Sequence, residues 1–142
     1  MTSQLNVDTI VDKAGSGGTN VKVANNAVAV AEGGSATTNV VQGLAKAWIH
    51  FNGTASGAAA NDSLNLSSMT DNGTADYTSA WSSVFSNAFY SVTGATEYSS
   101  IFTMQDNSTS QTTGGVRYVT VTDGGAAVDE EKVCTTNHGD LA

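Results

Sequence analysis

The side chains that could do chemistry are few and scattered along the 142-residue sequence. Two histidines, His50 and His138, and the one cysteine, Cys134, lie in segments that alternate in the manner of β-strands. A metal site would need both histidines on adjacent strands together with a third ligand. The simpler interpretation is that they are exposed or hydrogen-bonded strand histidines without a metal. We expect Cys134 to be a buried small residue in a strand, and a single cysteine excludes an intrachain disulfide.

Acidic and hydroxyl residues also give no convincing active site. A serine lies between glycines at residues 15–17, but no Gly-x-Ser-x-Gly nucleophile elbow occurs between a strand and a helix. Residues 71–76 partly resemble an oxygen-rich calcium loop, yet the distal glutamate is absent, and a turn at Asn72-Gly73 accounts for them. Residues 129–131 are interpreted as a solvated acidic loop. The sequence predicts no catalytic residue, no cofactor and no metal, and therefore no enzyme.

Aromatic residues offer a binding surface instead. Trp48 and Trp81 could stack on the faces of sugars, and His50 lies on the same strand face as Trp48. The alternative is that the rings form the core, because a small all-β domain with few Leu and Ile residues needs its aromatic residues for burial. We keep Trp48, His50 and Trp81 as candidate contacts for a glycan or a protein partner.

Composition and charge exclude several other classes. Five basic residues against thirteen acidic ones give a net charge of -8, which leaves too few cations to neutralise many phosphates of a nucleic acid. No apolar run is long enough to span a membrane as a helix. Charged residues make up only 13% of the chain, about half of the usual ~25%, while abundant Thr, Val, Asn and Gly favour strands and turns.

Strand-like alternation begins at about residue 45. Ala47, Ile49 and Phe51 share one face of the first predicted strand. Asn72-Gly73 between two alternating runs predicts a hairpin turn. The later strands are expected at residues 63–70, 77–81, 88–93, 98–104, 116–122 and 132–137. This spacing predicts an all-β fold, an antiparallel, jelly-roll-like β-sandwich over residues 45–142.

Residues 1–44 have a different character. They contain no aromatic residue, and their valines recur in short pairs at i, i+2 spacing between Gly and Asn steps, which indicates extended chain. Such narrow strands cannot form a core alone. They are either a flexible linker or an extended N-terminal arm whose valines pack against other copies of the chain, and we favour the arm, acting in attachment or trimerisation.

Several segments resemble the carboxy-terminal domain of tail-fibre-like proteins of marine bacteriophages, notably those of cyanobacteria. The resemblance covers about residues 5–13 and 45–140 and rests on the segments LNVDTIVDKAG, AKAWIHFNGT, SLNLSSMTDNGTADYTSAW, NAFYSVTGAT and VRYVTVTDGGAAVDEEKVCTTNHGD. The chain departs from the family pattern in having no proline and in being short for a whole fibre.

The resemblance implies a homotrimer without cofactor on the exterior of the phage particle. The expected function is a short fibre or a capsid decoration (cement) protein, whose partners are copies of itself and other capsid or tail proteins. The alternative is a module that recognises a polysaccharide of the host surface.

Overall fold

The computed structural model of the protein describes residues 27–30, 35, 37–98, 100–104 and 110–142. These residues fall into two compact units, the first ending at Val41 and the second beginning at Gln42. Most of the predicted arm, residues 1–26, 31–34 and 36, lies outside the described residues. The predicted division at residues 44 and 45 and the arm itself therefore stay predictions.

The first unit contains one antiparallel pair of short strands, β1 (Val28–Val30) and β2 (Thr37–Asn39). The backbone amide of Val40 donates to the carbonyl oxygen of Ala27 at 2.9 Å and closes the pair. A single helical turn, α1 (Val40–Gly43), follows. It leads into the second unit, where the sequence pattern changes to long alternating strands.

The second unit holds two antiparallel sheets. Its strands are β3 (Ala47–Phe51), β4 (Ala60–Leu64), β5 (Leu66–Gly73), β6 (Asp76–Trp81), β7 (Ser91–Thr96), β8 (Ile101–Met104), β9 (Gln111–Thr112), β10 (Gly115–Val121) and β11 (Val133–His138). The four-stranded sheet has the order β4-β3-β11-β7. The five-stranded sheet has the order β5-β6-β10-β8, and β9 also pairs with β10.

The two sheets pack face to face because each strand alternates between buried and outward side chains. Ile49 and Phe51 point inward from the four-stranded sheet, and Tyr77 and Tyr118 point inward from the five-stranded sheet. The ring of Phe51 lies 5.0 Å from that of Tyr77 and 5.9 Å from that of Tyr118, centroid to centroid. The prediction of an all-β, antiparallel, sandwich-like fold is confirmed.

The strand order departs from that of a jelly roll. In a jelly roll most successive strands alternate between the two sheets, whereas here β3 and β4 form a hairpin within one sheet and β5 and β6 form a hairpin within the other. The turn predicted at Asn72-Gly73 is displaced by two residues, because both residues end β5 and the β5–β6 hairpin turns at residues 74 and 75. Gly73 has a φ of 133° and Ala75 a φ of 65°, so both residues lie on the side of φ that L-residues disfavour.

The predicted strand over residues 63–70 is wrong, because two strands of different sheets occupy this segment. Asn65 separates them in the left-handed conformation, with a φ of 63°, which asparagine tolerates better than most residues. Its side chain accepts a hydrogen bond from the amide of Ser83 at 2.7 Å and donates to the carbonyl oxygen of Ser83 at 2.9 Å. These bonds hold the chain where it crosses between the sheets.

The strand predicted over residues 88–93 begins only at Ser91. The side-chain oxygen of Asn87 accepts a hydrogen bond from the amide of Phe89 at 2.8 Å, and such local bonds compete with strand pairing. Phe89 is 94% exposed, while the ring of Tyr90 is buried and stacks on Phe85 at 3.9 Å. Similarly, the strand predicted from residue 98 begins at Ile101.

Candidate functional site

Of the three predicted contact residues, Trp48 and His50 share a surface and Trp81 does not. Trp48 and His50 are half-buried on the outward face of β3 in the four-stranded sheet. Trp81 ends β6 in the other sheet, is only 4% exposed, and donates from its Nε1 to the hydroxyl oxygen of Tyr90 at 3.3 Å. Trp81 is therefore a core residue, and a surface around Trp48 is built from other neighbours.

Those neighbours follow from the strand register. Asp62 of β4 lies opposite His50, and Cys134 of β11 lies opposite His50 on the other side. Side chains that face each other in this way project from the same face of a sheet, with Cβ atoms about 4.5–5.5 Å apart. We call Asp62, His50 and Cys134 the outer row. Trp48 has Leu64 and Thr136 as its corresponding neighbours.

The expectation that Cys134 is buried is wrong, since its side chain is exposed. Val133 and Thr135 on either side of it point into the core, so the period-two alternation of a strand places Cys134 outward. It lines a shallow groove of about 250 Å³ together with Thr93, Ala95 and Thr136. The outward face of this sheet thus combines an aromatic ring, an imidazole, a thiol and several hydroxyl groups.

His50 and His138 are not paired across the sheet as a shared metal site would require. β3 and β11 are neighbours, but His138 lies opposite Ser91 of β7, four residues along β11 from the Cys134 that faces His50. Among the described residues, no group of three or more His, Cys, Asp and Glu side chains is placed to hold a metal ion.

Sequence reasoning missed a partly buried carboxylate network at Asp129 and Glu130, whereas Glu131 is exposed, as expected for a solvated loop over residues 129–131. The carboxylate of Asp129 accepts hydrogen bonds from the Tyr77 hydroxyl at 2.7 Å and from the amide of Ala75 at 2.6 Å. Glu130 is only 7% exposed and accepts a hydrogen bond from the hydroxyl of Ser100. Burial, reinforced by the adjacent Asp129 carboxylate, raises the pKa of the Tyr77 hydroxyl.

This network lies at one end of the sandwich, where β3 ends and where β6 and β11 begin. Seven of the nine described acidic residues lie at this end, which we call the acidic end: Asp71, Asp76, Glu97, Asp123, Asp129, Glu130 and Glu131. Arg117 forms an ion pair with Asp76, and Lys132 forms one with Glu97, with 3.4 Å between the Lys132 Nζ and the Glu97 Oε2. Hydrogen bonding to Arg117, and secondarily its positive charge, lowers the pKa of the Asp76 carboxyl despite partial burial.

The opposite end, where β3 and β7 begin and β11 ends, is apolar. Four large apolar side chains outside the named strands are exposed there, and we call this set the apolar end: Leu44, Val84, Phe89 and Leu141. Backbone hydrogen bonds hold the segments of Val84 and Leu141 together. Phe85 and Leu141 form an antiparallel β-bridge, and the amide of Ala142 donates to the carbonyl oxygen of Val84 at 3.0 Å. The buried, stacked rings of Phe85 and Tyr90 lie among these segments.

Comparisons of the chain with protein-family models, with curated proteins and with solved structures found no match. In the part of the chain that the structure describes, no helix has the length and apolar character needed to cross a membrane.

Proposed function

We propose that this chain is a non-enzymatic structural protein on the exterior of a bacteriophage particle, where it assembles as a homotrimer. In this role it serves as a short fibre or as a capsid decoration (cement) protein, in contact with other capsid or tail proteins. The observation that carries the proposal is that one chain leaves large apolar side chains exposed in both of its units, so that another surface is needed to bury them.

The first unit illustrates this need. Val28 is 52% exposed and Val30 is 59% exposed on β1, and Val40 is also exposed. An isolated pair of strands is marginally stable in water, because it has no second layer on which to bury its side chains. Packing against the same segment of other copies would bury these valines, as expected for the proposed N-terminal arm.

The second unit supports the same role in another way. Its core is closed by the inward rings of Phe51, Tyr77 and Tyr118, and its acidic end carries most of the described carboxylates. A rigid sandwich with an acidic, hydrated end is suited to project from a particle and to keep it soluble. The resemblance of the sequence to phage tail-fibre-like proteins agrees with this arrangement.

Imaging of whole particles tests the proposal. Electron cryo-microscopy of the phage should show density for the sandwich on the particle surface with local threefold symmetry. Mass spectrometry of purified particles should also find the chain at a fixed stoichiometry relative to the major capsid protein. Absence of the chain from washed particles that are otherwise complete would refute the proposal.

A second candidate function is recognition of a polysaccharide on the host surface. The observation that favours it is the outward face of the four-stranded sheet, where Trp48 lies beside His50 and near the hydroxyl-lined groove at Thr136 and Cys134. An indole ring that stacks on a sugar, with polar groups around it, is a common way to bind carbohydrate.

This candidate makes a distinct prediction. Acrylamide should quench the fluorescence of half-buried Trp48 but not that of buried Trp81, and host polysaccharide should protect Trp48 from quenching. A Trp48→Ala variant should lose binding to the polysaccharide, while Thr70→Ala on the outward face of the other sheet should bind normally. Equal binding by the two variants would reject Trp48 as the contact.

A further inference from the structure

We infer that the apolar end of the sandwich is the surface through which copies of this chain contact one another. This inference rests on the proposed homotrimer and deepens it, because it assigns the contact to Leu44, Val84, Phe89 and Leu141. The occupant of the surface is the same end of the other copies.

The first argument is the position of this end along the chain. Leu44 lies just beyond α1, and the amide of Lys46 donates to the carbonyl oxygen of Asn137 at 2.9 Å, which fixes the chain to the end of β11. The polypeptide therefore enters the sandwich at its apolar end, directly from the segment that carries exposed Val40. In sequence, Leu44 of the apolar end therefore follows closely after the segment proposed to trimerise.

The second argument is charge. The chain has a net charge of -8, so identical copies repel unless their acidic groups are kept apart. Contact through the acidic end would bring together seven carboxylates from each copy. Contact through the apolar end leaves the acidic end facing water at the far side of every copy, and Asp140 is the one carboxylate described near the apolar end.

The third argument is the kind of partner that this end could bind. Phe89 is almost completely exposed although a phenylalanine ring contributes about 150–250 Å² when it is buried. The other three side chains are smaller and only partly exposed, at 41–58%, so the four alone do not reach the roughly 800 Å² per partner of a standard interface. The contact must therefore also include the exposed polar residues next to them, such as Ser86 and Asn87, and a second copy presents the same surface.

Two rings on either side of β7 allow a matched test. Phe89 precedes this strand at the apolar end and is 94% exposed, while Tyr98 follows it at the other end and is 91% exposed. Light scattering of the full chain over a concentration series should give about three chain masses for the wild type and for Tyr98→Ser. Phe89→Ser, and more strongly Phe89→Ser with Leu141→Ser, should raise the concentration for half-dissociation at least ~10-fold.

The outcomes separate the inference from the proposed function. A trimeric wild type whose Phe89→Ser/Leu141→Ser variant stays equally trimeric overturns the inference and leaves the homotrimer standing. Dissociation by Tyr98→Ser instead would place the contact at the acidic end and would also overturn it. A wild type that stays monomeric at every concentration removes the homotrimer itself. Far-ultraviolet circular dichroism and melting of each variant verify that the sandwich remains folded.

Discussion

At the acidic end of the sandwich the chain is held by hydrogen bonds to carboxylates, whereas at the apolar end it is held by ring packing. Asp129 joins Tyr77 and the turn residue Ala75 at the first, and Phe85 stacks on Tyr90 at the second. Polar groups at the acidic end are therefore largely satisfied within the described chain. The apolar end keeps exposed side chains that gain free energy only when another surface covers them.

The largest effect is expected at the apolar end from Phe85→Ala. This change removes the buried ring that stacks on Tyr90 and contacts Trp81 edge-on, and it should lower the free energy of unfolding by about 3–5 kcal/mol. Chemical denaturation measures it. Ser83→Ala, two residues earlier and exposed, is the control and should change stability by less than about 0.5 kcal/mol. Similar values for the two variants would show that the stack is not a main source of stability.

A smaller loss is expected at the acidic end from Asp129→Ala. The variant leaves the Tyr77 hydroxyl and the Ala75 amide without their carboxylate acceptor, which should cost about 1–3 kcal/mol. Glu131→Ala, where the side chain is exposed, should be nearly neutral in the same denaturation experiment. A neutral Asp129→Ala would mean that hydrogen bonds do not fix this end.

Gly73→Val tests the hairpin at the acidic end. A Cβ atom at Gly73 has open space around it, but the φ of 133° is one that a valine rarely adopts, so we expect a loss of about 1–2 kcal/mol. Gly114→Val is the matched control, because a Cβ there also meets open space and the backbone has no positive φ. Equal melting temperatures for the two variants would reject backbone strain at Gly73.

The smallest change in melting temperature is expected for Asp76→Asn, and it should depend on pH. Arg117 lowers the pKa of Asp76 in the folded chain, so the ionised carboxylate favours folding. That stabilisation is complete above the unfolded pKa of about 3.9 and is lost as the pH falls through the lower folded value. The variant should melt below the wild type at pH 7 and should match it once the wild-type carboxyl is protonated. A constant difference at all pH values would contradict the ion pair.

The parts of the fold that sequence could predict are those set by period-two alternation. Ile49 and Phe51 of β3, and Tyr77 of β6, point inward as that period requires. The same rule, applied strictly, would have placed Cys134 outward between Val133 and Thr135. The average tendency of cysteine to be buried was a weaker guide than its position in the strand.

Other features depend on residues that are distant in sequence. Asn65 ends β4 because its side chain bonds to Ser83, 18 residues away. Asp129 is partly buried where its carboxylate accepts a hydrogen bond from Tyr77, 52 residues before it. Neither of these two contacts can be recognised from the residues next to Asn65 or Asp129 in the sequence. Residues 63–70 therefore resembled one strand, and residues 129–131 resembled an ordinary acidic loop. The alternation of Trp81 with Tyr77 was enough to place Trp81 in the core. The side-by-side arrangement of the outer row, however, could be found only from the pairing register of β3, β4 and β11.

Sedimentation equilibrium of the purified 142-residue chain is the most direct measurement of whether identical copies bury the exposed apolar residues. The chain mass is 14.4 kDa, and at micromolar concentration we predict a single species of three times that mass, about 43 kDa. A single 14.4 kDa species across the concentration range, with a cooperative melting transition, would contradict self-association.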